Sequence, residues 1–524
     1  MPSTSLKIYW TFLSALVLIL LAGCSILPDN IEKTTSFAYR DTDSTRLGKI
    51  TTKLKQGQGS KAGILPLTSG VDAFTARYIL AKNAERSIDV QYYIWHNDTT
   101  GKLLAYALLQ AANRGVRVRL LLDDINTAEK DAALLALNNH KNVEVRLFNP
   151  FANRSFRFFE VIADFFRINR RMHNKSFTVD NQATIVGGRN IGDEYFEANP
   201  TVDFHDFDVL AIGDIVNDVS VQFDKYWNHE QAIPVDIVAK SPEQDLPKSL
   251  NTELQEFFVK SSSTEYIQAV RKSEFIKKLE KNKLAFFWDE AKLLYDPPDK
   301  INPDKQEPEK YLIPQLEQNI SKTKQEVILI SPYLIPGDSG MEKIRSLINR
   351  NISVKILTNS LASTDVPLVY SGYAPYRIPL INSGVELYEI KTSARSQYKN
   401  YSISSSSRAS LHSKVYIFDR SHLFIGSLNL DPRSSKLNTE MGILLLNTSL
   451  ATLMANWWDK QINQIAYKLS VESYFDEYDD EEEIIYWEDL STVPSKRYER
   501  PPKADFLKVL TSEMFSIFPI EEHL

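Results

Sequence analysis

Hydrophobic and polar positions along this chain switch between two periods, and the switching happens twice. In the first pass, residues 72–86 carry apolar positions at helical spacing, and SIDVQYYIW, from Ser87 to Trp95, reads as a strand. Residues 102–114 return to helical spacing, with Gly115 placed as a C-cap, and residues 116–122 and 143–148 form two more strands. In the second pass, residues 315–324 and 341–349 are helical, and residues 327–333, 354–357 and 385–388 are strands. Setting Tyr93 on Tyr333 aligns the first strand of each pass, so a whole domain is repeated. Strands alternating with helices predict an α/β fold whose largely parallel or mixed sheets are covered on both faces.

A motif is repeated with the pattern. His173-Asn174-Lys175 leads to Asp180 and then to Gly187-Gly188-Arg189-Asn190; His412-Ser413-Lys414 leads to Asp419 and then to Gly426-Ser427-Leu428-Asn429. The register agrees throughout: Lys175, Asp180 and Asn190 follow His173 at the same intervals as Lys414, Asp419 and Asn429 follow His412. One such match is weak; two extended copies in one register are not accidental. The apolar flanks, 176–179 and 415–418, make the motif a strand, so His and Lys share a face. A turn at Asp180-Asn181 or Asp419-Arg420 follows, which gives both aspartates a structural reading. The next strand ends in small residues, where backbone can approach a ligand. Lys and Asn donate to phosphate oxygens, and histidine can attack phosphorus or shuttle a proton. One copy holds half of what phosphodiester cleavage needs. Two copies face to face supply a nucleophile, a general acid and a four-donor cradle. A catalytic imidazole also wants a carboxylate on its other nitrogen. By position Glu440 falls to His412 and Asp206 to His173, with Asp203 and Asp208 as rivals.

Composition narrows the choice. A length of 524 residues calls for two or more domains, and 43% hydrophobic with 24% charged residues is globular. The net charge of −6 offers no basic footprint, so no nucleic-acid partner is expected. A single cysteine, Cys24, rules out an intramolecular disulfide or a thiolate metal cluster. Lys7, the apolar run from Ile8 to Ala22, and Leu21-Ala22-Gly23-Cys24 read as a signal peptide over residues 1–24. Its end resembles a bacterial lipobox, which implies lipidation of Cys24 and a membrane anchor facing the periplasm; an uncleaved anchor is the competing reading. Residues 25–60 read as a flexible tether, 61–231 and 311–468 as the two domains, 232–310 as a connection, and 469–524 as a tail with a solvated acidic run. The connection is expected to hold one helix, 264–280, a strand at Phe286-Phe287-Trp288, and a turn at Asp296-Pro297-Pro298. The insert from Phe151 to Met172 sets Phe158, Val161, Ile162, Phe165 and Phe166 near one face, with arginines at its ends. It reads either as a bilayer- or headgroup-binding element or as a helix packed on the core.

The twin motif resembles the phospholipase D superfamily. Within it, RRMHNKSFTVDNQATIVGGRNIGDEYF, ASLHSKVYIFDR and GSLNLDPRSSKLNTEMG resemble bacterial cardiolipin synthases of the type C branch, with likeness from about Phe74 to the terminal PIEEHL. The resemblance implies two α/β/α sandwich domains related by a pseudo-two-fold, with one active site at their interface. It implies that His173 is the nucleophile, forming a phosphohistidine, and that His412 is the general acid and then base; the sequence leaves the reverse open. Lys175, Lys414, Asn190 and Asn429 would hold the phosphoryl oxygens, with no metal or cofactor. The implied activity is a membrane-associated phosphatidyltransferase that makes cardiolipin by passing a phosphatidyl group to phosphatidylglycerol, with phosphatidylethanolamine as the branch's expected donor. Hydrolysis of phospholipid or nucleic acid with water as acceptor is the alternative, and a lapsed binding protein the least favoured reading.

Overall fold

Two mixed sheets built to one plan carry the repeat. The computed structural model describes residues 31–154, 156–239, 246–394, 408–475 and 481–515. The first half contributes β1 (Ala62–Leu67), β2 (Ser87–Tyr92), β3 (Arg117–Asp123), β4 (Val143–Phe148), β5 (Ser176–Val179) and β6 (Ala183–Gly187). It continues with β7 (Val202–His205), β8 (Asp208–Ile212), β9 (Ala232–Pro234) and β10 (Phe287–Asp289). The second half contributes β11 (Ala291–Tyr295), β12 (Glu326–Ile330), β13 (Ser353–Asn359), β14 (Glu386–Ile390), β15 (Arg408–Leu411) and β16 (Val415–Phe418). It ends with β17 (His422–Gly426), β18 (Met441–Leu445), β19 (Ala466–Phe475), β20 (Glu481–Asp489) and β21 (Lys496–Tyr498). The orders match: β1-β8-β6-β5-β2-β3-β4-β9 in one sheet, β11-β18-β17-β16-β12-β13-β14-β19 in the other. Among the described residues, only β2-β3-β4 and β12-β13-β14 pair in parallel within these two sheets.

Strand pairing fixes the offset between halves. Gln91 faces Ser176 and Ile330 faces Val415, so the shift that carries His173 onto His412 also carries Gln91 onto Ile330. The bridges Trp95–Ile191 and Leu334–Leu430 keep the same spacing. Setting Tyr93 on Tyr333 is therefore one position out; Pro332 occupies the place of Tyr93.

The sheets meet face to face. Ile64, Val186 and Val209 of the first half share a buried core with Ile328, Ile417 and Ile443 of the second. Each half keeps a further core beneath its outer helices. This apolar seam brings the two motif strands into one interface.

The motif aspartates hold turns. Asp180 and Asn181 have φ of 51° and 49°, and Asp419 and Arg420 have 49° and 51°, a left-handed pair opening each short connection between Val179 and its partner Ala183 or Phe418 and its partner His422. Asp180 accepts from the backbone N–H of Glu85, Arg86 (2.7 Å) and Ser87 (2.9 Å), which ties the turn to the start of β2. Asp419 does the same for Lys324, Gln325 and Glu326. Burial works against the charge on Asp419, but those three N–H groups win and hold its carboxyl below the ordinary value. Asp180→Ala should therefore cost about 3 kcal/mol of stability, because several N–H groups lose a charged acceptor at once. Urea unfolding measures this; an unchanged midpoint with lost activity would instead put Asp180 in the chemistry.

Several expected boundaries give way. The expected tether is folded from residue 31 onward: Arg46–Lys55 is a helix, and Ser36 bonds to Arg119, Trp227 and Asn228. The Ser36 contacts are polar and leave no period in the sequence, although Leu47, Ile50 and Leu54 do recur at helical spacing and Leu47 packs on the first core. The connection 232–310 is not a linker: β9 and β10 complete the first sheet, β11 starts the second, and Leu254, Tyr266 and Phe275 enter the first core. The helix expected over 264–280 is split into Glu265–Arg271 and Glu274–Glu280, the second capped by Ser273, and Val235–Val238 and Leu246–Ser261 are further helices of the same connection. The tail after residue 468 extends the second sheet through β19-β20-β21, and Trp487 donates to buried Glu389. Cys24, the expected signal peptide and much of the acidic run lie outside the described residues. Among those described, no helix is long and apolar enough to cross a membrane.

Candidate active site

Exchange of short strands between halves builds the site. β7, just before Asp206, pairs in parallel with β15, just before His412. On the other side of the pseudo-two-fold, Met172 bridges Thr439, and the N–H of His173 donates to the Thr439 carbonyl. Each acid is thus carried to the opposite histidine. His173 Nδ1 lies 2.9 and 3.0 Å from the carboxylate oxygens of Glu440, and His412 Nδ1 lies 2.6 Å from Asp206. The expectation that each acid serves its own half is corrected: the pairs are crossed. With Nδ1–H facing a carboxylate, Nε2 of each ring is left for chemistry.

The small residues after the motif make room for buried acids. A side chain at Gly188 would collide with Asp206, and one at Gly187 with Asp208. At the matching position Ser427 donates to Glu440, as does Ser434 (2.8 Å). Buried Asp296 accepts the Glu440 N–H at 2.8 Å and pairs with Lys300. The supposed turn at Asp296 is therefore a prop for Glu440, signalled in sequence only by an acid before two prolines. Asp203 and Asp208 do not pair with His173; Asp208 binds buried Arg77 at 2.8 Å.

The two motifs open into one buried pocket of charge. Lys175 Nζ donates to the His173 carbonyl (2.7 Å) and Lys414 Nζ to the His412 carbonyl (2.5 Å). Burial, then Lys175, Lys414 and His412, push His173 well below its ordinary pKa. Burial and Lys414 also lower His412, against the pull of Asp206. Burial drives Lys175 down to about 7 and Glu440 up to about 7. Tyr93 packs edge-on against His173, while Phe204 stacks on His412 and Tyr195 meets the same ring edge-on. Asn190 donates to Tyr195 Oη (3.0 Å) and accepts from Ile94 N–H, so one cradle donor is already engaged. Asn429 is buried with its Oδ1 unpaired. Sequence reading missed Tyr93, Tyr195, Asp296 and Arg433; Arg433 bonds the Asn169 carbonyl and adds positive charge beside His173.

These protonation states set a pH window. Lys175 is cationic below its pKa, and Glu440 is anionic above its own. With both near 7, kcat/KM should fall on either side of neutrality. The alkaline limb of kcat should sit higher, because a bound phosphodiester anion raises the lysine pKa. A flat kcat/KM from pH 6 to 10 would remove Lys175 from phosphate binding.

The insert settles one of its two readings. It forms Arg157–Ala163 and Phe165–Ile168, and its apolar side does not pack on the core: Phe156, Phe158, Ile162 and Phe166 are 56–72% exposed. Four of its five arginines are taken up by acids, while Arg170 reaches carbonyls instead, those of Lys300 and Lys436. Arg154 pairs with Asp131 and Asp124, Arg157 with Asp124, Arg167 with Glu160, and Arg171 with Asp123.

Two facing copies of one phosphate-handling motif, each completed by the other half, define a phosphodiester-transferring enzyme of the phospholipase D superfamily. The chain belongs to the family described as cardiolipin synthase, PLD-like domain, whose model matches residues 79–227 and 316–462. It is 40% identical to cardiolipin synthase C of Escherichia coli K12 over 91% of this chain and 99% of that protein. It is 23% identical to cardiolipin synthase A of Pseudomonas syringae over 78% of this chain and 69% of that one. Phosphatidylserine synthase of Haemophilus influenzae Rd KW20 shares the fold at a TM-score of 0.53 and 13% identity, over 80% of this chain and 91% of that one.

Proposed function

We propose that this enzyme makes cardiolipin, transferring a phosphatidyl group to phosphatidylglycerol through a phosphohistidine. The crossed pairs carry the reading: each imidazole is oriented by a carboxylate of the other half, both ammonium groups act on His173, and Lys414 lies beside His412. Nε2 of His173 attacks phosphorus as the P–O bond to the leaving alcohol breaks, and His412 gives that alkoxide its proton. The hydroxyl of phosphatidylglycerol then attacks phosphorus, the P–N bond breaks, and His412 takes the proton back. Lys175, Lys414 and the two asparagines offset the charge on the phosphoryl oxygens. Phosphatidylethanolamine, losing ethanolamine, or a second phosphatidylglycerol, losing glycerol, serves as donor.

The exposed phenylalanines set the enzyme at a bilayer. Their insert is tied to the site, since Arg171 bonds Asp123 and Asn169 bonds Arg433. Lipidated Cys24 would supply the permanent anchor on the periplasmic side, with the phenylalanines orienting the mouth.

The test is incubation of the purified chain with labelled phosphatidylglycerol, with and without phosphatidylethanolamine, in vesicles. Cardiolipin as product is expected. Phosphatidic acid alone would make it a hydrolase; cleavage of single-stranded DNA with lipid untouched would make it a nuclease. Phe158→Ser with Phe166→Ser should weaken vesicle binding of a chain lacking residues 1–24 by about tenfold, since two aromatic side chains no longer enter the bilayer. Unchanged sedimentation with vesicles would take the insert off the membrane.

A further inference from the structure

A second cavity lies behind the second motif strand. It holds about 280 Å³ between the first half's 203–207 segment and the helix Thr448–Ile465. Ile330, Leu411, Val415, Leu450, Met454 and Trp457 are among its walls, and apolar surface dominates. Neither motif imidazole, ammonium nor carboxamide lines it. Ser413 and Val415 do, and they alternate along the strand with His412 and Lys414, so the cavity is on the opposite face from the chemistry. It touches the catalytic apparatus through Asp206 alone of the two orienting acids. Leu453 and Trp457, 56% and 36% exposed, mark its mouth.

Thr68, Glu197, Asp203, His205 and Gln461 also reach its wall, Glu197 accepting the Gly70 N–H, and three further polar side chains there are committed within the protein. Asp206 holds His412 and the Phe207 N–H. Ser413 donates to the His205 carbonyl, and Arg189 to the carbonyls of Leu67, Thr68 and Asp206. Apolar surface still outweighs polar on these walls, and an apolar void takes hydrocarbon readily. Its volume falls at the low end of ligand sites, which run on the order of 300–1,000 Å³. That suits one chain rather than two. The first half does not repeat the feature: Gln91, Asn174 and Ser176 stand where Ile330, Ser413 and Val415 stand in the second.

We infer that this cavity is a binding site for a single alkyl chain, inserted tail first with its polar end left at Leu453 and Trp457, separate from the catalytic cleft. A free fatty acid and one acyl chain of a phospholipid share that chemistry. The inference does not depend on which alcohol accepts the phosphatidyl group.

The probe is palmitic acid with a diazirine at the chain terminus, irradiated with the purified full chain and with His173→Ala, so that turnover plays no part. Adducts should concentrate on the peptide spanning 450–465, which carries no residue of the cleft. Met454→Trp, which fills the space, should reduce them at least tenfold while leaving labelling of the exposed phenylalanines unchanged. Leu453→Trp, at an exposed position that folding tolerates, is the second variant and should act the same way at the mouth. Competition by free palmitate assigns a fatty acid; competition by phosphatidylglycerol alone assigns a lipid's own chain, and either supports the site. Adducts confined to the cleft or the phenylalanines, or undiminished in both variants, would overturn it.

Discussion

Replacing His173 by alanine should reduce phosphatidyl transfer by roughly 10³-fold or more, since the attacking atom is removed. It should also remove any covalent phosphoryl adduct. Acid-free quenching of the wild type with phosphate-labelled phosphatidylglycerol should leave label on the peptide containing His173, and the variant should carry none. The stability cost should be small, because His173 makes its side-chain contacts at the cleft rather than in an apolar core. Label that persists on the variant would move the nucleophile to His412 and reverse the two roles.

The second large effect separates the crossed arrangement from an uncrossed one. Glu440→Gln and Asp206→Asn should each lower kcat by about 10²–10⁴-fold, the range for an imidazole that loses its orienting carboxylate. The two should fail at different steps. With a p-nitrophenyl phosphodiester, whose leaving group needs no proton, His412→Ala and Asp206→Asn should keep a first-turnover burst of nitrophenol. His173→Ala and Glu440→Gln should show none, because their defect is in attack. A burst in Glu440→Gln together with none in Asp206→Asn would mean that each acid serves its own half after all.

Much of this site is legible along the chain because its parts are local. The motif strand, its alternation and its turn fit between His173 and Asn190, and the turn aspartate bonds the start of a strand that is itself visible as an apolar run. The crossing is not local. Glu440 lies a short way along the chain from His412, yet it reaches His173, at a sequence separation of 267. That choice depends on strands exchanged across the seam, and no periodicity records the exchange. The same holds for Asp296, whose acceptor role toward Glu440 appears only when the connection folds into both sheets. The insert misleads for another reason. A run of arginines beside phenylalanines looks like a phosphate-binding surface, but the acids that neutralise it, Asp123, Asp124 and Asp131, come from an earlier stretch. Residues 31–60 deceive by composition: threonine and serine suit a tether and serve equally as caps and hydrogen-bond partners on a folded surface.

The exchange of carboxylates has a bearing on how the two copies can change over time. A duplicated unit ordinarily frees one copy to diverge. Here each copy holds its neighbour's imidazole in place, through partners 267 and 206 positions away. Altering the acid of one copy disables the ring of the other, so neither half is an autonomous catalyst and neither can decay in private. A severed chain would recover its chemistry only by reuniting both fragments.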